Sequence, residues 1–332
     1  MACVVLIGDT MDLRSVFRSV LMSSLAGCGG VVVAGDGGDL DAQSKSDSVV
    51  PDAAGVCRST KPSMQQPCGW EVSLSGDCSA LTSGGLSPTK CAELCGFGQT
   101  ACMPGWNGPG SLYCGQACEG RRPPGLGDRQ HRGPNAVGEW FARAAFLEAA
   151  SVDAFHILHD ELAHHGAPPE LLAEALSSAR EEVSHARMMR ALAKSFGAAW
   201  EPPSVQRARV RDLEAIALEN AVEGCVRETY GALQNAWQAE RAASSSVRAA
   251  MRVIARDEAK HASLAWKIAA WADARLDPDA RARVARARRD AVAELERSIA
   301  LVPDTSVVRT CGIPHAASAR SLVEGLKREL WN

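Results

Sequence analysis

No C-x-x-C occurs anywhere in this chain of 332 residues. That absence argues against the thiolate zinc and iron–sulfur sites that use tight cysteine pairs. A charge imbalance is also missing: the formal net charge is −3, so nothing global points to nucleic acid as a partner. Lysine is scarce, with seven among the 36 basic residues, a compositional bias that carries no function. No apolar run near the amino terminus is long enough to span a bilayer, since a helical span needs about 20 residues.

The amino-terminal pattern reads as an export signal. Arg14 and Arg18 precede the short apolar run Ser19 to Leu25, and Leu25-Ala26-Gly27-Cys28 resembles a bacterial lipobox with Cys28 as the lipidated residue. Met11 is the expected start of such a leader, and a buried strand at Cys3 to Ile7 is the competing reading. The expected location is therefore the cell envelope, on a lipid anchor at the membrane. Cysteine use agrees. Eight of the twelve (Cys57, Cys68, Cys78, Cys91, Cys95, Cys102, Cys114, Cys118) crowd into one Gly/Pro/Ser-rich segment without a histidine. This reads as a disulfide framework, with a metal site as the alternative. Eight cysteines allow 105 pairings, among which sequence does not choose.

The expected organisation is a leader (1–28), a polar tether (29–56), a small Cys-rich module (57–118), a linker (119–135), a helical domain (136–276) and C-terminal helices (277–332). From Ala136 the composition turns to Ala, Leu, Glu and Arg, all strong helix formers. Apolar periodicity predicts helices near 137–165, 168–195, 207–242 and 244–275, broken at Pro168-Pro169 and Pro202-Pro203. Asp277-Pro278 predicts the start of a fifth helix, and Leu322, Leu326 and Leu330 stripe a short terminal one.

The helical region carries an internal duplication in its polar residues. Glu181-Glu182-Val183-Ser184-His185 matches Asp257-Glu258-Ala259-Lys260-His261, 76 residues on. Glu148 matches Glu223 at 75 residues, and each is followed seven positions later by an aromatic, Phe155 and Tyr230. Glu-x-x-His places both side chains on one helix face a turn apart, where both can reach one metal. These residues fall within apolar stripes: Phe141, Ala145, Glu148, Val152, Phe155; Ala175, Ala179, Glu182, Met189; and Val247, Met251, Ile254, Glu258, His261, Ile268. Burying four unpaired carboxylates would be prohibitive, whereas two divalent cations balance them. Glu219, one turn before Glu223, competes with it, and repeat spacing favours Glu223. Glu228 is expected on the surface. Glu181 and Asp257, which precede Glu182 and Glu258, face solvent or make contacts behind the ligands. His159, on the inward seam, reads as an extra ligand or a contact behind the ligands, while His164 and His165 read as cap residues ending the first helix. Cys225 and Cys311 read either as a disulfide tying the helices to the C-terminal tail or as two buried thiols. The arginines of 281–289 form a solvated face or a contact with anionic lipid.

A glutamate from each of two helices with Glu-x-x-His from each of two others is the ligand pattern of ferritin-like bundles. In Glu148, Glu182-x-x-His185, Glu223 and Glu258-x-x-His261 the stretch 136–276 resembles the ferritin-like di-iron carboxylate superfamily, rubrerythrin-type bundles most closely. The resemblance implies a mainly α, four-helix fold holding two Fe ions, with Mn as the alternative metal. It implies Glu148 and Glu223 as terminal or shifting carboxylates, Glu182 and Glu258 as bridges, and one histidine on each metal. Tyr230, beside the cluster, would donate to a ligand carboxylate or be oxidised. The iron–thiolate domain that accompanies rubrerythrin is missing, so the electron donor would be external. The expected function is an envelope oxidoreductase acting on O₂ or peroxide as a peroxidase, ferroxidase or oxidase of a small substrate. Iron binding or storage without turnover is the alternative, and an adhesion lipoprotein built on a degenerate bundle is the third reading.

Overall fold

The computed structural model describes residues 15–20, 58–60, 69–75, 78, 94, 101–104, 111–115, 121–123, 125–127, 133–206, 209–299 and 304–331. The lipobox expected at Leu25 to Cys28 lies outside the described residues, as do most cysteines of the expected Cys-rich module. The protein is mainly α. Among the described residues the strands all fall in that stretch: β1 (Arg58–Thr60), β2 (Gly69–Ser75), β3 (Ala101–Pro104) and β4 (Ser111–Gly115) form one antiparallel sheet in the order β1-β2-β4-β3. Cys102 and Cys114 are partners in register across β3 and β4.

The helices begin and end where local chemistry dictates. Asn135 accepts from the Gly138 amide and opens α1 (Ala136–His164). His165 closes it, its ring nitrogen 2.8 Å from the Arg211 carbonyl, and Gly166 then turns the chain. Pro168-Pro169 opens α2 (Pro169–Ser195). The third helix starts later than the periodicity predicts: Asp212 caps α3 (Leu213–Val222), and residues 209–212 carry no helix. A π segment, Glu223–Glu228, follows and leads straight into α4 (Thr229–Arg241). Ser244 caps α5 (Ser245–Asp273), and Asp277 with Pro278 caps α6 (Pro278–Ser298). The tail adds a helix the periodicity did not reveal, α7 (Thr305–Cys311), and then α8 (Ala316–Leu326), extended by a second π turn at Lys327–Trp331.

Helix α1 packs along α2, α4 along α5, and α2 against α5, while α3 and the π segment lie against both α5 and α6. Every residue of the three predicted stripes is buried except Val152, which is half-buried. Their apolar members divide into two clusters. One holds Phe141, Ala145, Met189, Val247, Met251 and Ile254; the other holds Phe155, Ala175, Ala179, Leu264 and Ile268. The Glu-x-x-His positions on α2 and α5, and Glu148 on α1, fall in the gap between the two. Apolar layers above and below therefore keep bulk water from the polar residues.

A third cluster, on the flank, unites Tyr230, Leu233, Trp237 and Trp266 with Leu322, Leu326 and Leu330 and with Phe17 and Val20 of the helical residues 15–20. The π segment needs outside support because a widened turn disturbs the regular backbone ladder. It receives that support from side chains. Trp331 Nε1 donates to the Cys225 carbonyl at 2.9 Å, and the Thr229 hydroxyl donates to the Gly224 carbonyl at 3.2 Å. Cys225 and Cys311 are thiols buried in different apolar clusters, which corrects the disulfide reading in favour of its alternative. No described helix is long and apolar enough to cross a membrane.

Candidate metal centre

Five of the six residues expected as metal ligands meet between the two apolar clusters. Glu148, Glu182, His185 and Glu258 each offer an atom, and those atoms lie within 4.8 Å of one another. An ion bound at roughly 2.1 Å holds opposite ligands about 4.2 Å apart, so small side-chain shifts would close this group on a metal. His185 Nδ1 stands 3.3 Å from Glu258, 3.6 Å from Glu182 and 3.6 Å from Glu148. His261 Nδ1 stands 3.2 Å from Glu182 and 3.5 Å from Glu258. Glu182 and Glu258 thus each reach both histidines, whereas Glu148 reaches only His185. His185, His261 and Glu182 are fully buried.

The cluster leaves its own valences open. Glu148 Oε2, both Glu182 oxygens, Glu258 Oε1 and the Nδ1 atoms of both histidines are buried and make no hydrogen bond. Buried polar atoms are rarely left so, and here all of them turn toward one another. The outer faces of the rings are held instead. His261 Nε2 donates to Glu181 at 3.0 Å and His185 Nε2 faces Asp257 at 3.5 Å, which decides the open choice for these two acids in favour of histidine contacts. With Nε2 engaged, each ring presents Nδ1 inward. Burial alone would push both imidazoles toward neutrality, but the surrounding carboxylates outweigh it and hold them protonated without a metal. Burial, with Glu182 beside it, drives the Glu148 carboxyl well up. This buried Glu/His cluster has the donors to hold a metal ion and is compatible with a di-iron site.

Glu223 is not among the residues brought together. Its carboxylate pairs with Arg227, whose other nitrogen bonds Glu294 at 3.1 Å on α6. Glu219 is engaged too, in a bidentate bond with Arg121 at 2.9 Å through each oxygen. Glu228, expected on the surface, is buried instead, and neither of its oxygens has a hydrogen-bond partner. Burial raises its carboxyl to about 8, against the pull of Arg121 and His261 and with a push from Glu258 and Glu182. The π segment explains the exchange. A widened turn shifts every later residue by about one position, roughly 100° around the axis, so spacing counted on an α-helix misassigns the inward face.

Arg121 was also missed, because it belongs to the 119–135 stretch read as a linker. Its guanidinium is buried, lies 5.8 Å from the centroid of Phe155, and leaves Nη1 without a hydrogen bond, 3.8 Å from Glu228. Its one sequence cue is an arginine ahead of a helical domain rich in inward acids. Tyr230 sits in the flanking apolar cluster, and among the described residues no hydrogen bond links its hydroxyl to the acids. Phe155 packs on His261, ring centroids 5.0 Å apart. His159 is partly exposed and pairs with Asp160, away from the cluster. No protein-family model matches this chain, and neither the curated proteins nor the solved structures contain a significant match to it.

Proposed function

We propose that this protein is a ferritin-like di-iron carboxylate protein, an oxidoreductase of the cell envelope that reduces O₂ or peroxide with electrons from an external donor. One observation carries the reading: two imidazoles and three carboxylates from α1, α2 and α5 converge with their inward atoms unsatisfied, in two repeated Glu-x-x-His halves. A pair of iron ions supplies two reducing equivalents at one place, which suits the two-electron reduction of such small oxidants. The chain's own residues define the rest. Glu182 and Glu258 reach both histidines and would be the carboxylates that hold both ions; Glu181 and Asp257 fix the rings; the two apolar clusters exclude water. The envelope location rests on the lipobox-like Leu25-Ala26-Gly27-Cys28 and on the density of cysteine in 57–118, and the burial of Phe17 and Val20 against α8 counts against removal of the residues before Cys28.

Elemental analysis by mass spectrometry of protein purified with iron should find about two Fe per chain. Rapid peroxide consumption that disappears in His261→Ala would support the oxidoreductase, whereas two bound irons without any turnover would favour storage. Absence of a bound transition metal, with Glu182→Ala leaving stability unchanged, would refute the metal centre. Cys28→Ser should move the protein out of the membrane fraction, and an unchanged distribution would refute the anchor.

A further inference from the structure

The two halves of the cluster are unequal, and the inequality identifies a further ligand. His185 has Glu148 beside its Nδ1 in addition to Glu182 and Glu258, but His261 has only Glu182 and Glu258. The position that would match Glu148 belongs, by the repeat, to the chain between α3 and α4. Two glutamates occupy that chain. Glu223 is occupied by Arg227, which is anchored in turn by Glu294. Glu228 is buried to the same degree, has both oxygens unsatisfied, and lies 3.8 Å from Nη1 of Arg121, whose guanidinium stands 5.8 Å from the centroid of Phe155, the ring packed on His261.

Resting on the metal-centre reading above, we infer that Glu228, not Glu223, is the fourth carboxylate of the site, on the His261 side, with Arg121 as its positioning residue. Arg121 is suited to the role because Glu219 and Asn220 already hold its other nitrogens, at 2.9 and 3.2 Å. That fixes the guanidinium and leaves only Nη1 directed at Glu228. A carboxylate has two oxygens, so one can bind a cation while the other accepts from Nη1. Lysine could not reproduce this, since the arrangement depends on a planar fork with three engaged directions. The π segment then has a function: its extra residue turns Glu228 inward and leaves Glu223 on the α6 side.

Anaerobic titration with Co(II), followed by calorimetry and visible absorption, separates the possibilities. The unaltered chain should take two ions. Glu228→Gln should lower the affinity for one of them by about 100-fold or more, and Arg121→Lys by about tenfold, while Glu223→Gln should bind two ions as the unaltered chain does. Helicity and melting temperature of the metal-free variants guard against misfolding. Glu228→Asp, which keeps a charge for Arg121, should bind two ions with intermediate affinity. Two-ion binding at full affinity in both Glu228 variants, or an equal loss in Glu223→Gln, overturns the assignment while leaving the metal centre intact. An unaltered chain that binds no Co(II) overturns the metal-centre reading itself.

Discussion

Glu181 Oε2 accepts from His261 Nε2 at 3.0 Å, so the residue just before one Glu-x-x-His orients the histidine of the other. Asp257 faces His185 in the reciprocal sense, at 3.5 Å, and Lys260 joins the two acids through bonds of 2.6 and 2.8 Å. The doublets Glu181-Glu182 and Asp257-Glu258 therefore have divided labour: the second residue points inward and the first crosses to the opposite ring. Removing such a partner frees the ring to rotate and to exchange tautomers. Glu181→Ala should weaken metal binding by about 10–100-fold while helicity is retained. Asp257→Asn, acting on a longer contact, should weaken it less. Competition titration against a coloured chelator measures both, and unchanged affinity in Glu181→Ala would show that the bond does not orient His261.

Proton linkage gives a second expectation. Burial works against protonating His185 and His261, yet the neighbouring carboxylates prevail and raise both above the ordinary 6.5, while burial raises Glu228 from 4.5 to about 8. Folded, metal-free protein then holds protons that the unfolded chain releases, so these groups lend stability that is lost as pH rises. The melting temperature of the metal-free protein should fall between about pH 5 and 8. Metal binding displaces those protons, so affinity should rise over the same range and calorimetry in buffers of different ionisation enthalpy should detect proton release. A metal-free protein that gains stability across this window would contradict the protonated-cluster picture.

Much of this arrangement was legible from residue order, and the reasons it was not all legible are physical. The Glu-x-x-His pairs announce themselves because an α-helix has a fixed period, so two ligands three residues apart must share a face. The same regularity predicted α1, α2 and α5 within a few residues. It did not anticipate that Glu223 pairs with Arg227 or that Glu228 is buried, because a π turn changes the period there and no propensity scale signals it. It failed at Arg121 for another reason: a side chain that enters the core from a linker has no periodic context at all. The Asp277-Pro278 cap announced its helix directly, whereas Asn135, which caps α1, was read as the last residue of a linker.

Gly224 offers a test of why the π segment exists in this place. A Cβ there would lie 2.4 Å from the Ala265 Cβ and 2.9 Å from the Asn220 carboxamide oxygen. Helix α5 approaches too closely for any side chain, and Asn220 is itself fixed by a 2.8 Å bond to the Ala265 carbonyl. Gly224→Ala should destabilise the fold by about 1–3 kcal/mol through overpacking. Displacement of the π segment from α5 should also reduce the Glu228-dependent binding of the second ion. Chemical denaturation measures the first effect and Co(II) titration the second. Full stability in Gly224→Ala would mean that the helices separate more easily than their contact suggests.

Arg121 makes the final prediction, because it ties residues 119–135 to the helical core. Its guanidinium is buried between Glu219 and Glu228, and burial, which alone would favour loss of its proton, is outweighed by those two carboxylates. Removing one partner of a buried pair leaves the other charge uncompensated, at a cost of about 3–5 kcal/mol. Arg121→Met should therefore be strongly destabilising, and Glu219→Gln alone less so, since Glu219 retains some access to water. In the double variant the Met fills the space and Glu219 no longer carries an unpaired charge. Its stability should recover much of the loss, giving a favourable coupling energy of about 1–3 kcal/mol in a double-mutant cycle. Strict additivity would mean that the bidentate contact contributes little and that Arg121 is held by Asn220, Glu228 and its packing on Phe155 instead.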